Sequence, residues 1–147
     1  MPEVEPDRQP AVLALSGLIV AADSYRLAAA NHFGLGVVDT HAISYLDAHG
    51  PMAQTALAKL MGLTSAGATG VVDRLEQAGT ARRGIDPQDR RRHRIELTDR
   101  AREMLAESRT GLARVFDGLD RATLDTLVED LPALAAGLAR ESERLRS

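Results

Sequence analysis

The chain has 147 residues, of which 44% are hydrophobic and 27% charged, and this length predicts a single compact domain. It contains no cysteine, which excludes disulfides, cysteine-ligated zinc and thiol redox sensing; its 3% aromatic content argues against a stacking platform for single-stranded nucleic acid. The longest apolar stretch, residues 11–22, is too short to span a bilayer, and the acidic first residues differ from a secretory signal. We therefore predict a cytoplasmic protein with no membrane contact.

Hydrophobic periodicity and helix-breaking glycines predict six helices. Residues 1–10 contain three prolines and predict a mobile arm, and residues 11–147 predict one domain. A proline inside the last helix, Pro132, predicts a kink because it removes a backbone hydrogen-bond donor. The predicted helices span residues 11–33, 40–48, 54–61, 65–78, 99–116 and about 120 onward.

Capping and core positions can also be predicted for these helices. Polar residues with short side chains stand at four helix starts, where their oxygens can accept from unpaired backbone N–H groups: Asp39, Thr64, Thr98 and Asp120. The fourth helix has apolar residues at core spacing: Ala68, Val71, Val72 and Leu75.

Two short segments follow the fourth helix, residues 80–83 and 94–97, and their side-chain alternation predicts a β-hairpin. The region from Arg82 to Arg94 holds six arginines and two acids, so it carries a net charge of +4 and leaves −7 on the remainder. A short basic segment on an acidic body indicates contact with a polyanion, and the arginine guanidinium suits phosphate and guanine edges. On charge alone, a solvated loop without a ligand is the alternative.

The third and fourth helices are joined by Met61-Gly62-Leu63-Thr64 and match a helix-turn-helix, whose second helix enters the major groove of DNA. The small residues at the start of the fourth helix would let its backbone N–H groups approach phosphate. The arginine-tipped hairpin would act as a wing. The predicted fold class is therefore mainly α with a small β-wing, a winged helix-turn-helix at residues 39–98 flanked by helices at 11–33 and 99–147.

Four segments of this region carry a resemblance to a known family: LAKLMGLT at 57–64, VVDRLEQAG at 71–79, DPQDRR at 86–91 and IELT at 95–98. Together with Arg82-Arg83 they resemble the winged helix-turn-helix of the multiple-antibiotic-resistance regulator (MarR) family. The resemblance is strong over residues 50–102. The D-P-x-D-R-R wing followed by a strand that ends in Leu-Thr is its specific part.

The resemblance implies a set of DNA contacts. Thr64 would cap the recognition helix and contact phosphate, and Arg90 would reach the minor groove. Asp89 and Arg91 would brace the wing. Arg74 would contact phosphate, the alternative being a surface salt bridge with a nearby acid such as Asp73 or Glu76. The full set of implied DNA contacts is Thr64, Ser65, Gly67, Ala68, Thr69, Arg74, Arg90, Arg91 and Arg92.

The resemblance also implies a homodimer joined by its terminal helices. It would bind a pseudo-palindromic operator in double-stranded DNA, most often as a repressor, and leave it when a small aromatic or phenolic effector binds between the dimer helices and the winged domain. Five side chains lie near that junction and would line an effector pocket, with core packing as the alternative: Tyr25, His32, Phe33, His41 and Tyr45.

Other functions are weighed against this one. The recognition helix lacks Arg, Gln or Asn near its start, which shifts recognition towards phosphates and DNA shape and leaves open a winged-helix module that binds another protein without specific DNA readout. We predict no enzyme, because no phosphate-binding loop, nucleophile elbow or H-E-x-x-H motif is present. We predict no metal and no cofactor, because the four histidines lack tight ligand spacing.

Overall fold

A computed structural model describes Glu5 and residues 7–147, which form six α-helices and one two-stranded antiparallel sheet. The mainly α fold with a β-wing is confirmed. The elements are α1 (Gln9–Phe33), α2 (Val37–His49), α3 (Gln54–Met61), α4 (Ser65–Gln77), β1 (Ala81–Ile85), β2 (His93–Leu97), α5 (Asp99–Ala113), a 3₁₀ turn (Arg114–Phe116) and α6 (Arg121–Arg146).

The described chain forms two compact units, the first ending at Ala106 and the second covering Glu107–Ser147. The predicted mobile arm at residues 1–10 falls partly on residues 1–4 and 6, which lie outside the described residues. Its last two residues, Gln9 and Pro10, already belong to α1. Proline is compatible with this position because the first helical N–H groups have no partner within the helix.

The core of the first unit lies between α2, α3, α4, both strands and the start of α5. The four predicted core residues of α4 are all buried, with Val72 and Leu75 fully inaccessible to solvent. Such burial contributes about 1.5–3 kcal/mol for each large aliphatic side chain. Most of the buried core consists of aliphatic side chains and alanine: Ala42, Ile43, Leu46, Leu57, Val71, Val72, Leu75, Ala81, Ile95, Leu97 and Ala101.

Three of the four predicted helix caps are confirmed. Thr64 Oγ1 accepts from the N–H of Gly67 at 3.1 Å, Asp120 caps α6, and Thr98 Oγ1 accepts from the N–H of Ala101. The prediction for Asp39 was wrong, because α2 begins earlier, with Gly36 at its N-cap, and places Asp39 in the first turn. The Asp39 carboxylate is buried and accepts hydrogen bonds from Arg74 of α4.

The hairpin pairs Ala81 with Leu97 and Ile85 with His93, so both strands are slightly longer than predicted at the wing end. A third segment joins it, because Met52 and Ile95 exchange two backbone hydrogen bonds of 3.1 and 2.7 Å. This bridge could not be predicted, because Met52 is a single apolar residue between Pro51 and Ala53 with no strand alternation around it. It fixes the chain before α3 to the base of the wing.

Helix α1 contains 25 residues, and by length and composition it could cross a membrane, which corrects the exclusion based on residues 11–22. The reason is that the exclusion considered only residues 11–22, whereas the apolar window lies within the whole helix Gln9–Phe33, in which the Ser16 hydroxyl donates to the carbonyl of Val12. No residue of its most apolar window is buried.

In the second unit, α6 continues through Pro132 as one α-helix, and none of its residues is buried. Apolar residues recur along it at helical spacing and remain exposed, among them Val128, Leu131, Leu134 and Leu138. The α-helical part of α5 ends at Ala113, and the predicted residues 114–116 form a 3₁₀ turn.

Candidate nucleic-acid interface

The outer face of α4 carries most of the predicted groove contacts. Ser65 and Thr69 are exposed, and Gly67 is partly exposed beside the Thr64 cap. Ala68 is 1% exposed and packs inward, so the expectation that its side chain lies at the groove was wrong. The reason is the helical period, which places residue 68 on the same face as Val71, Val72 and Leu75. The side chains exposed at the start of α4 are therefore short, as predicted from the sequence.

A polar residue of α3 reaches this face, which the sequence did not predict. Gln54 Nε2 donates to Thr69 Oγ1 at 2.8 Å, and Thr69 Oγ1 donates to the backbone carbonyl of Ser65 at 3.0 Å. Gln54 and Ser65 also border an open cleft of about 260 Å³ between α3 and α4. The nearest sequence signal was the position of Gln54 at the start of the first helix of the helix-turn-helix.

The Arg74 side chain is held by Asp39 of α2. Its Nε lies 3.1 Å from both carboxylate oxygens, and its Nη2 lies 2.8 Å from Oδ1. This hydrogen bonding raises the pKa of Arg74 further above its usual range. The ion pair considered from the sequence, with Asp73 or Glu76, is not the one formed. Arg74 nevertheless remains half-exposed.

Arginines at the base of the wing are paired within the protein. Arg83 binds Asp73 at 2.7 Å and also Glu76, which ties β1 to the end of α4 and raises the pKa of Arg83. Arg82 binds Glu96 at 2.7 Å across the hairpin, and Arg94 lies 3.5 Å from the same carboxylate. These three arginines therefore position the wing, and much of their charge is neutralised locally.

The Glu96 cluster predicts a pH-dependent stability. The hydrogen bond from Arg82 lowers the pKa of Glu96 below its usual range, so the folded protein binds a proton at Glu96 less readily than the unfolded chain does. Its stabilising effect is complete above the unfolded pKa of about 4.3 and is lost as pH falls through the folded pKa. We expect Glu96→Gln to cost about 1 kcal/mol at pH 7 and progressively less below pH 4 in urea unfolding at fixed protein concentration. The exposed Glu103→Gln is the matched control, and a cost that grows on acidification would contradict this assignment.

The tip of the wing is shaped by two short acidic side chains. Asp86 accepts from the N–H of Gln88, and Asp89 accepts from the N–H of Arg91 at 3.0 Å. The Asp89 carboxylate lies 3.4 Å from the guanidinium of Arg92. Asp89 thus braces the wing through the backbone of Arg91, whereas its ion-pair partner is Arg92. Within the described part of the chain, the exposed side chains of Arg90 and Arg91 form no ion pair.

The predicted effector residues do not all meet. His41 and Tyr45 border a cleft of about 300 Å³ between α1 and α2, together with Arg26, Ser44, Ala48 and His49. The remaining three predicted residues are not part of its lining. Of these, His32 and Phe33 pack edge to face with each other at 4.8 Å.

Within this cleft, His41 Nε2 is buried without a hydrogen-bond partner. Burial, and next the nearby Arg26 charge, lower the pKa of His41, so its ring is neutral at pH 7. The cleft is therefore lined by a neutral imidazole ring and by the Arg26 cation. Among the residues described, no group of three or more His, Asp or Glu side chains could hold a metal ion.

Parts of this chain are similar in sequence to known proteins. A family model for the MarR family matches residues 37–93. A curated relative, the HTH-type transcriptional regulator YcgE of Bacillus subtilis (strain 168), is 36% identical over 101 residues, which are 69% of this chain and 61% of that protein. The chain thus spans about three fifths of the length of this relative.

Solved structures show the same fold. A probable transcriptional regulator from Pseudomonas aeruginosa is 31% identical, with a TM-score of 0.53, and the match covers 80% of this chain and 92% of that one. RV1404 from Mycobacterium tuberculosis is 26% identical with a TM-score of 0.65, over 92% and 96% of the two chains. A MarR family protein from Bacillus stearothermophilus is 20% identical with a TM-score of 0.70, over 92% and 99%, and this likeness supports the fold alone.

Proposed function

Because this chain belongs to the MarR family of DNA-binding transcription regulators, we propose that it works in the cytoplasm as a homodimeric repressor. The dimer binds a pseudo-palindromic operator in double-stranded DNA and leaves it when a small aromatic or phenolic effector binds. The observation that carries the proposal is that the arginines of the wing fall into two groups, paired and unpaired. Arg82, Arg83 and Arg94 pair with acids of the winged domain, whereas Arg90 and Arg91 are exposed at its tip and form no ion pair within the described chain.

The proposed DNA contacts come from the start of α4 and from the arginines at the wing tip. The start of α4 offers backbone N–H groups to a phosphate beside Thr64, and the exposed Ser65 and Thr69 lie along the helix that would enter the major groove. Arg90, Arg91 and Arg92 would contact the flanking backbone or the minor groove. The net negative charge of the remainder of the chain favours approach to DNA through the basic wing.

Exposed apolar side chains on the terminal helices support the dimer. On α1, Leu13 is 63% exposed and Val20 69%, and on α6, Val128 is 74% exposed. Each helix on its own presents apolar surface that a folded soluble protein would be expected to cover. A second copy of the chain is the partner that the family implies, and a two-fold dimer requires a pseudo-palindromic site. We therefore propose that the exposed apolar side chains of α1 pack against the second subunit.

The cleft between α1 and α2 supports an effector site. Tyr45 and His49 stack at 6.2 Å on one side of its lining, and Arg26 supplies a cation. A small aromatic molecule with a phenolic or acidic group could stack on these rings and pair with the Arg26 guanidinium. Most of the cleft lining belongs to α2. Asp39 of the same helix binds Arg74 of the recognition helix α4. A ligand that shifts α2 would therefore also shift α4.

The proposed function is tested by selecting bound duplexes from a random double-stranded pool with the full-length protein. We expect an enriched inverted repeat whose half-sites lie about one helical turn apart. Adding candidate phenolic compounds should release the enriched duplex in an anisotropy assay. No enrichment by a folded protein would instead favour the module that binds another protein without reading DNA.

A further inference from the structure

We propose that Gln54, a residue of α3 outside the recognition helix, recognises an adenine in the major groove of each half-site. This inference rests on the proposed function and deepens it, because it names a base and the side chain that selects it. The observation is the hydrogen-bonded chain from Gln54 through Thr69 to the backbone of Ser65. It joins a residue of α3 to the groove-facing side of α4.

The chain of hydrogen bonds fixes the orientation of the Gln54 amide. A threonine hydroxyl has a single hydrogen, and that of Thr69 is donated to the carbonyl of Ser65 at 3.0 Å. Towards Gln54, Thr69 Oγ1 can therefore only accept, so the atom 2.8 Å away must be the amide nitrogen. The same bond leaves Thr69 with no donor to offer to DNA.

The Gln54 amide retains one N–H donor and the carbonyl oxygen, and in the described part of the chain neither has another partner. A donor next to an acceptor in one plane matches the major-groove edge of adenine, which presents N7 as acceptor and N6–H₂ as donor. The edge of guanine presents two acceptors and does not match. Because the amide is already anchored by Thr69, little side-chain entropy is lost when it binds.

The position of Gln54 suits this role. It borders the open cleft between α3 and α4 together with Ser65, on the side where the exposed face of α4 would meet DNA. The exposed residues at the start of α4, Ser65 and Ala66, are too short for a bidentate contact with a base. Gln54 thus supplies an amide that the recognition helix lacks near its own start.

The test compares the sequences selected from a random duplex pool by the wild-type protein and four variants. For wild type we expect an A·T pair, symmetric in both half-sites, to be preferred over G·C by roughly fivefold to a hundredfold. Gln54→Ala should bring this ratio close to one while other positions keep their preferences. Gln54→Glu should favour cytosine there, because a carboxylate accepts from cytosine N4.

Thr69→Val removes the anchoring hydroxyl with little change in shape, and we expect it to reduce the same preference several-fold. Gln77→Ala, which removes an exposed amide at the opposite end of α4, is the matched control and should leave the preference unchanged. Circular dichroism shows that each variant is folded before selection.

Two results would overturn the inference, and they are distinguishable. If wild type enriches a motif and Gln54→Ala enriches the same motif with the same preference at every position, Gln54 only joins the two helices. A uniform loss of affinity without a change of motif would likewise make Gln54 a phosphate contact. If wild type enriches no motif at all, the proposed function fails first, and the base contact fails with it.

Discussion

Replacing Arg90 and Arg91 by alanine together is expected to weaken binding to the selected duplex by about tenfold or more and to flatten its salt dependence. The reason is that both guanidiniums are exposed and form no ion pair in the described chain, so they are available to neutralise phosphate. A dimer would lose four such charges, and the slope of log K against log salt should fall by up to about 3.6, at roughly 0.9 for each phosphate contact. Fluorescence anisotropy titrations at several salt concentrations measure both quantities.

The control for this pair is a variant with the same loss of charge elsewhere. Arg102 and Arg121 are exposed, lie outside the winged helix-turn-helix, and each pairs with an aspartate on its own helix. Replacing these two by alanine should change affinity by far less. Equal losses for the two variants would mean that general charge, and not the wing tip, drives binding.

The second large effect is expected at the ion pair between Asp39 and Arg74. Asp39 is buried and Arg74 half-exposed, so the two single substitutions are not equivalent. Arg74→Ala leaves a buried carboxylate without its donors and should cost about 2–3 kcal/mol. Asp39→Ala leaves a guanidinium that water can solvate and should cost about 1 kcal/mol. Urea unfolding at fixed protein concentration measures both.

The double variant Asp39→Ala/Arg74→Ala separates this explanation from a simple loss of packing. Because it removes the buried charge together with its partner, it should be more stable than Arg74→Ala alone. Arg102→Ala, at an exposed pair, should change stability by less than about 0.5 kcal/mol. If the double variant is instead the least stable of the series, the buried charge is not the source of the effect.

The elements of the winged domain could be predicted because local signals agreed with one another. Thr64 stands at a helix start with small residues after it, and the alternation of Ile95 and Leu97 marks a strand that packs on the core. Glycine at the turn after α3 and at the end of α4 adopts positive φ of 65° and 71°, which β-branched or bulky residues rarely adopt. Such signals act within a few residues and are visible in the sequence.

Contacts between distant residues could not be predicted in the same way. Asp39 looked like a helix cap, because an aspartate before a helical pattern usually is one; its partner Arg74 lies 35 residues away. The bridge between Met52 and Ile95 and the bond from Gln54 to Thr69 depend equally on how the helices pack. Helix α1 begins two residues earlier than predicted, because Pro10 was assigned to a mobile arm although proline fits the first turn of a helix.

The central claim is that two copies of this chain bind one duplex through the paired α4 helices and wings. Sedimentation equilibrium of the protein with the selected duplex, labelled so that DNA and protein are followed separately, tests it most directly. We predict a complex of two chains on one duplex that dissociates as salt is raised. A single chain on the duplex, or no complex at low salt, would contradict it.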